Sequence, residues 1–176
     1  CEELEAVTLI DLLRRADLEV VSAGLKQGPV TCSRGVRLLP DQHLDAVQDQ
    51  HFDMIVLPGG LPGADHLAAD PRIIELLRQQ AARGGYTAAI CAAPKVLASA
   101  GLLQGRRVTA YPGILDKQIS QDPSAGFELS DQPVVRDEQV ITSRGPGTAM
   151  DFALTLIETL CGEQKRQSVE KALVRP

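Results

Sequence analysis

Short apolar runs alternate with helix-patterned stretches along most of this chain, and that alternation constrains its fold more than any other feature. DMIVLPGG (53–60) and TAAIC (87–91) are too short for buried helices and read as strands. Each is followed by a helical stretch, 71–83 with Pro71 at its start and 93–100. Strands that alternate with helices pair in parallel, because a parallel connection needs a long crossover. The pattern therefore predicts an α/β fold with a mainly parallel central sheet.

The remaining segments fit that plan. In EELEAVTLIDLLRRA (2–16), Ala6, Leu9, Ile10 and Leu13 share one helical face, with acids first and Arg14 and Arg15 last, as the helix dipole favours. LEVVSA (18–23) reads as a strand, and 29–40 as a hairpin turning at Ser33-Arg34-Gly35. RRVTAYP (106–112) reads as a strand with an abrupt stop, and 133–143 as a hairpin across Asp137-Glu138. Helices are expected over 147–162, ending at a glycine, and over 163–173. An α/β domain ordinarily feeds its first helix from a strand, whereas this sequence opens on the helix. A leading strand of about ten residues is expected ahead of Cys1 by analogy with βαβ units.

The 176 residues suit a single domain spanning 1–176. Aromatic residues are only 3% and Trp is absent, so the core falls to Leu, Val, Ile and Ala. A net charge of −5 argues against a nucleic-acid-binding surface. No run approaches the roughly 18 apolar residues that a membrane span needs. Cys1, Cys32, Cys91 and Cys161 are widely spaced without a C-x-x-C. That spacing argues against a metal site and for free thiols in a reducing, cytoplasmic setting.

Cys91 sits where a strand turns into a helix, with alanines around it. Free N–H groups and the dipole at a helix start favour a thiolate, so its pKa is expected below the free value of about 8.5. The stretch has the logic of a nucleophile elbow with Cys in place of Ser, although a buried small residue is the other reading. LPGGLPG (57–63) offers loop amides to an oxyanion, or is a plain turn. Glu2, Glu3 and Glu5 read first as dipole complements on a solvated face. TSRGPGT (142–148) reads as a structural loop that Ser143 or Thr148 caps. Of His43, His51 and His66, only His66 follows the glycine loop. Tyr111, at a strand end, is the better pocket candidate of the two tyrosines.

Taken together, EELEAVTLIDLLRRA, TCSRGV, VLPGG, AAICAAP and TSRGPGT resemble the ThiJ/PfpI superfamily, in the branch of the deglycases associated with Parkinson disease. The resemblance runs over nearly the whole chain. It implies a flavodoxin-like three-layer sandwich that forms a homodimer. It places the reactive cysteine on Cys91 and the glutamate that contacts its sulfur on Glu5. It puts oxyanion-type amides on Gly59, Gly60 and Ala92, and sets Arg144, Gly145 and Pro146 near the pocket and the dimer contact. Where several relatives carry a pocket histidine, this chain has Tyr111.

The activity so implied is cofactor-free and metal-free handling of small dicarbonyls or glycated amines, as a glutathione-independent glyoxalase or a deglycase. A redox-sensing chaperone, with Cys91 oxidised to a sulfinate, is the alternative. The peptidase branch places His directly after its nucleophile, where this chain has Ala92, and no His-x-Glu of the amidotransferase type follows.

Overall fold

A computed structural model of the chain describes residues 1–116 and 126–175. Its centre is a four-stranded sheet made of β5 (Met54–Leu57), β6 (Tyr86–Ile90), β9 (Val134–Asp137) and β10 (Val140–Ser143), in the order β5-β6-β10-β9. β6 pairs in parallel with both neighbours, Met54 facing Tyr86 on one side and Val140 facing Thr87 on the other. Only β9, which reaches β10 through a tight hairpin, runs antiparallel. The mainly parallel sheet expected from the alternation is present. Its hairpin turn falls on Glu138-Gln139, one residue later than the sequence pattern places it, because Val140 pairs with Asp137.

Helices cover both faces. α1 (Glu3–Arg15), α5 (Ala149–Cys161) and α6 (Glu163–Ala172) pack together on one side, and α2 (Gly63–Ala69), α3 (Pro71–Ala82) and α4 (Pro94–Ser99) on the other. The two apolar clusters of the core follow this division. Leu9, Leu13, Ile141, Phe152 and Ile157 fill the first, and Leu57, Leu77, Val96, Leu97 and Val108 fill the second. A sheet sandwiched in this way has no wet face, which is why Thr87 to Ile90 are all buried and the strand shows no alternation.

Among the described residues, six short strands lie outside the central sheet, in three pairs. β1 (Ala23–Gly24) pairs with β4 (Gln42–His43), β2 (Val30–Thr31) with β3 (Arg37–Leu38), and β7 (Arg107–Val108) with β8 (Glu128–Leu129). The β2–β3 hairpin turns at 33–35 as the sequence predicts. Two expected strands are shorter than the sequence suggests. That over 106–112 is reduced to Arg107–Val108. The strand over 18–23 shortens to Ala23–Gly24, because Leu18–Ser22 meets no ladder partner among the described residues. Asp41 fastens its end, accepting hydrogen bonds from the Ser22 amide at 2.9 Å and hydroxyl at 2.7 Å. The stretch after the glycine loop, to which the sequence pattern assigns no element, forms α2; its polar, alanine-rich sequence has no long apolar stripe to announce it.

Candidate active site

β6 delivers its last residue to a backbone that turns sharply. Cys91 has φ 63, in the left-handed region that a side chain enters only at a cost of about 1–2 kcal/mol. Hydrogen bonds on both sides hold it there. Its amide donates to the Ser143 carbonyl at 2.9 Å, and its own carbonyl accepts from the Tyr111 amide at 2.9 Å. Packing around the elbow is close, with Ile90, Ala92 and Ala93 all buried, so larger neighbours would not fit. Cys91 as a whole is buried, 9% exposed.

Glu5 reaches the same point from α1. Glu2 caps that helix by accepting the Glu5 amide at 2.8 Å, and the Glu2 amide donates to the Gly59 carbonyl at 2.8 Å. The helix start is thus tied to the loop after β5. The Glu5 carboxylate is fully buried, and its Oε2 accepts the Gly59 amide at 2.8 Å. A Cβ on Gly59 would stand 2.7 Å from the Cys91 Cβ and 2.8 Å from Glu5 Oε2, so only glycine leaves room for the two side chains to meet. Gly60, at φ 88, is hemmed in by Glu2, Cys1 and Ser33.

The two side chains titrate together. Burial pushes Glu5 up to about 7, against the Gly59 amide and the Cys91 thiol, which favour its charge. Burial pushes Cys91 up to about 12, followed by the charge of Glu5 and the hydrogen bond to it; the Gly60 and Ala92 amides pull the other way. As a pair they release a first proton near 7 and hold the second to about 12. The expectation of a low thiol pKa set by a helix start is therefore corrected. α4 begins only at Pro94 and is six residues long, so its dipole is weak at Cys91. The carboxyl group beside the sulfur governs its charge instead. Glu5 Oε1 is buried without a hydrogen-bond partner, and Cys91 is the thiol that interacts with this carboxyl group.

The other residues singled out in the sequence are distributed as follows. Gly59, Gly60 and Ala92 all border Cys91, but the Gly59 amide is engaged by Glu5, which leaves Gly60 and Ala92 as free donors toward the sulfur. Tyr111 is half exposed, and its ring lies 3.3 Å from where a Cβ on Gly145 would stand. Arg144 points away to Asp131, whose side chain is fully exposed. Pro146 opens a short turn ahead of α5, in which the Thr148 hydroxyl bonds to the Gly145 carbonyl at 2.9 Å and Ser143 at 2.7 Å. Thr148 stands at the N-cap of α5 but makes no side-chain cap hydrogen bond to it; its hydroxyl accepts the Gly145 amide at 3.1 Å in the preceding turn instead, which corrects the expected capping role. His66 lies exposed on α2.

Sequence reasoning left two acids of the first turn as solvated, and the structure corrects both. Glu2 is the cap described above. Glu3 is buried and accepts the Arg34 amide at 2.8 Å, stapling the β2–β3 turn to α1. It also missed Cys1 and Cys32, whose sulfurs lie 3.4 Å apart across 31 residues of chain, a distance no spacing rule could carry.

A cavity of about 540 Å³ opens at the opposite end of the sheet, between Leu18, Phe52, Gln80 and Tyr86. It holds no nucleophile and lies apart from Cys91. Among the described residues, no three His, Cys, Asp or Glu side chains cluster as metal ligands would. No helix among them is long and apolar enough to cross a membrane.

Comparison with known proteins bears on this arrangement. The profile of the DJ-1/PfpI family matches residues 1–159. The protein dj-1beta of Drosophila melanogaster is 44% identical over 174 residues, covering 98% of this chain and 91% of its own. A Caenorhabditis elegans protein named glutathione-independent glyoxalase DJR-1.2 is 43% identical over 98% of this chain and 89% of its own. The crystal structure of Drosophila melanogaster DJ-1beta superposes with a TM-score of 0.91, covering 99% of this chain and 92% of its own. Toxoplasma gondii DJ-1, solved in an oxidized form, is 38% identical and superposes with a TM-score of 0.89 over 98% of this chain and 92% of its own. With the family profile over most of its length and relatives of this identity over nearly all of it, the chain belongs to the DJ-1/PfpI family.

Proposed function

We propose that this protein converts small reactive dicarbonyls to hydroxy acids without glutathione, using Cys91 as nucleophile and Glu5 as the proton carrier. One observation carries the reading: a buried carboxyl group, anchored by the Gly59 amide, shares its titration with a thiol held on a strained elbow. The relative named as a glutathione-independent glyoxalase supports it.

The chemistry starts from the singly ionised pair. The Cys91 sulfur attacks the aldehyde carbon of methylglyoxal, and the one remaining proton of the pair ends on Glu5. The new oxyanion is held by the amides of Gly60 and Ala92. Glu5 then protonates it, giving a hemithioacetal and a free carboxylate. That carboxylate removes the hydrogen of the former aldehyde carbon and returns it to the adjacent ketone carbon. One carbon is oxidised and its neighbour reduced, so no external oxidant enters. The resulting thioester is hydrolysed by water, which releases lactate and restores the thiol. Early glycation adducts present the same carbonyl chemistry at the same site. Tyr111 shapes the rim, with Arg144, Gly145 and Pro146 behind it. The functional unit is a homodimer in the cytoplasm, and the exposed Leu4 and Val7 on α1 supply an apolar face for self-association.

A second reading, oxidation of Cys91 in a redox-sensing chaperone, is favoured by the oxidized Toxoplasma gondii relative. A protonated Glu5 would donate to a sulfinate oxygen. The test that separates the two is lactate formation from methylglyoxal without glutathione under reducing conditions, in the parent, Cys91→Ser and Glu5→Gln proteins. Turnover in the parent and its loss in both variants supports the enzyme. Its absence in the parent, or its persistence in Cys91→Ser, transfers the argument to oxidation.

A further inference from the structure

We propose that Cys1 and Cys32 form a second thiol site, separate from Cys91, that closes to a reversible disulfide on reaction with a small-molecule disulfide. Their sulfurs stand 3.4 Å apart, and both are free thiols. The backbone holds them together independently of the sulfurs. The Ser33 amide donates to the Cys1 carbonyl at 2.9 Å, and the Ser33 hydroxyl to the same oxygen at 3.1 Å. Glu3 fixes the far side of the turn through the Arg34 amide at 2.8 Å. A bond between the sulfurs then needs a small closing movement of two side chains on backbones already tied.

Accessibility sets the order of events. Cys1 is half-buried and Cys32 is buried, so a small disulfide meets Cys1 first. The Cys1 thiolate attacks one sulfur of the small disulfide, which forms a mixed disulfide and expels one thiol. Cys32 then attacks the Cys1 sulfur of that mixed disulfide and expels the second thiol. The two thiol protons leave with the two released small thiols. The small disulfide gains two electrons and the protein loses two. Burial holds the Cys32 thiol above its ordinary range, so it is slow toward bulk reagents while remaining in contact with its partner.

The place of this bond gives it a consequence. Cys1 adjoins Glu2, the cap of the helix that carries Glu5, and the Glu2 amide is bonded to Gly59. A Cβ on Gly60 would stand 2.7 Å from both the Cys1 carbonyl carbon and the Ser33 hydroxyl. Closing the disulfide fastens the β2–β3 hairpin over the loop next to Cys91.

The test is oxidation of the full-length protein with oxidised glutathione, followed by alkylation of remaining thiols, digestion without reductant and mass spectrometry. A Cys1–Cys32 linked peptide is expected, reversed by dithiothreitol and exceeding the Cys1–glutathione adduct by at least about tenfold. Cys32→Ala is expected to stop at the Cys1–glutathione adduct, and Cys1→Ser to leave Cys32 as a free thiol. A parent protein that accumulates glutathione on Cys1 while Cys32 is alkylated would overturn the proposal. So would links that join Cys91 or Cys161 instead. Because Cys1 is only half-buried, its serine variant folds and keeps the comparison readable.

Discussion

Two carboxylates on the first turn of α1 are buried a few ångströms of helix apart, and they titrate in opposite directions. Burial works against the charge of Glu3, but amides of its own residue, Val36 and Arg34 outweigh it and hold the carboxyl below its ordinary value. Glu5 receives one amide, from Gly59, keeps one oxygen unpartnered, and is pushed up to about 7. The difference shows what decides a buried carboxyl group's charge: the number of N–H groups aimed at it, set against burial. The Glu3 corner is built to stay ionised and to hold a hairpin. The Glu5 corner is built to gain and lose a proton near neutral pH beside a thiol.

The sharpest way to break this contrast is Glu5→Gln. Turnover of methylglyoxal should fall by about 10²–10⁴-fold, the range for losing a proton carrier. Stability should move the other way. Because the folded pKa of Glu5 is raised, its contribution is complete below 4.5 and lost as pH rises through about 7. Removing the charge should therefore stabilise the protein above pH 7 by on the order of 3 kcal/mol, with the gain fading toward pH 4.5, as denaturant melts at each pH would measure. Gly59→Ala comes next. Its methyl group would press on both Cys91 and Glu5, costing about 1–3 kcal/mol and lowering turnover by about 10²-fold through misplacement.

Glu3→Gln tests the other corner. It should leave turnover within a few-fold while lowering the melting temperature at pH 7. Its folded pKa is depressed, so the stability it contributes is present above 4.5 and lost as pH falls through the folded value. The variant and parent should thus converge in acid. Arg144→Ala should change least, by no more than about 1 kcal/mol, since its partner Asp131 is wholly exposed.

The sheet was legible because buried parallel strands such as TAAIC write themselves as short apolar runs, and the helices because their faces repeat. Segment 18–22 misled, since its β-branched pattern promises a strand while a strand exists only through its partners. The elbow at Cys91 was legible as a strand–turn–helix junction, and Glu5 through family resemblance. What the residues could not reveal was which amide each carboxylate captures. Glu3 and Glu5 differ by two positions in sequence, but their fates depend on Arg34 and Gly59, which arrive from distant parts of the chain. The same holds for Cys1 and Cys32.

The most direct test of the shared proton is the pH dependence of kcat/KM for methylglyoxal, measured from pH 5 to 10 in the parent and in Glu5→Gln. The pair predicts an acid limb with an apparent pKa of about 7 in the parent. In Glu5→Gln the buried thiol must ionise alone, so the residual activity should rise only at clearly higher pH. A parent profile that is flat through neutrality, or a limb that stays in place when Glu5 is replaced, would contradict the account.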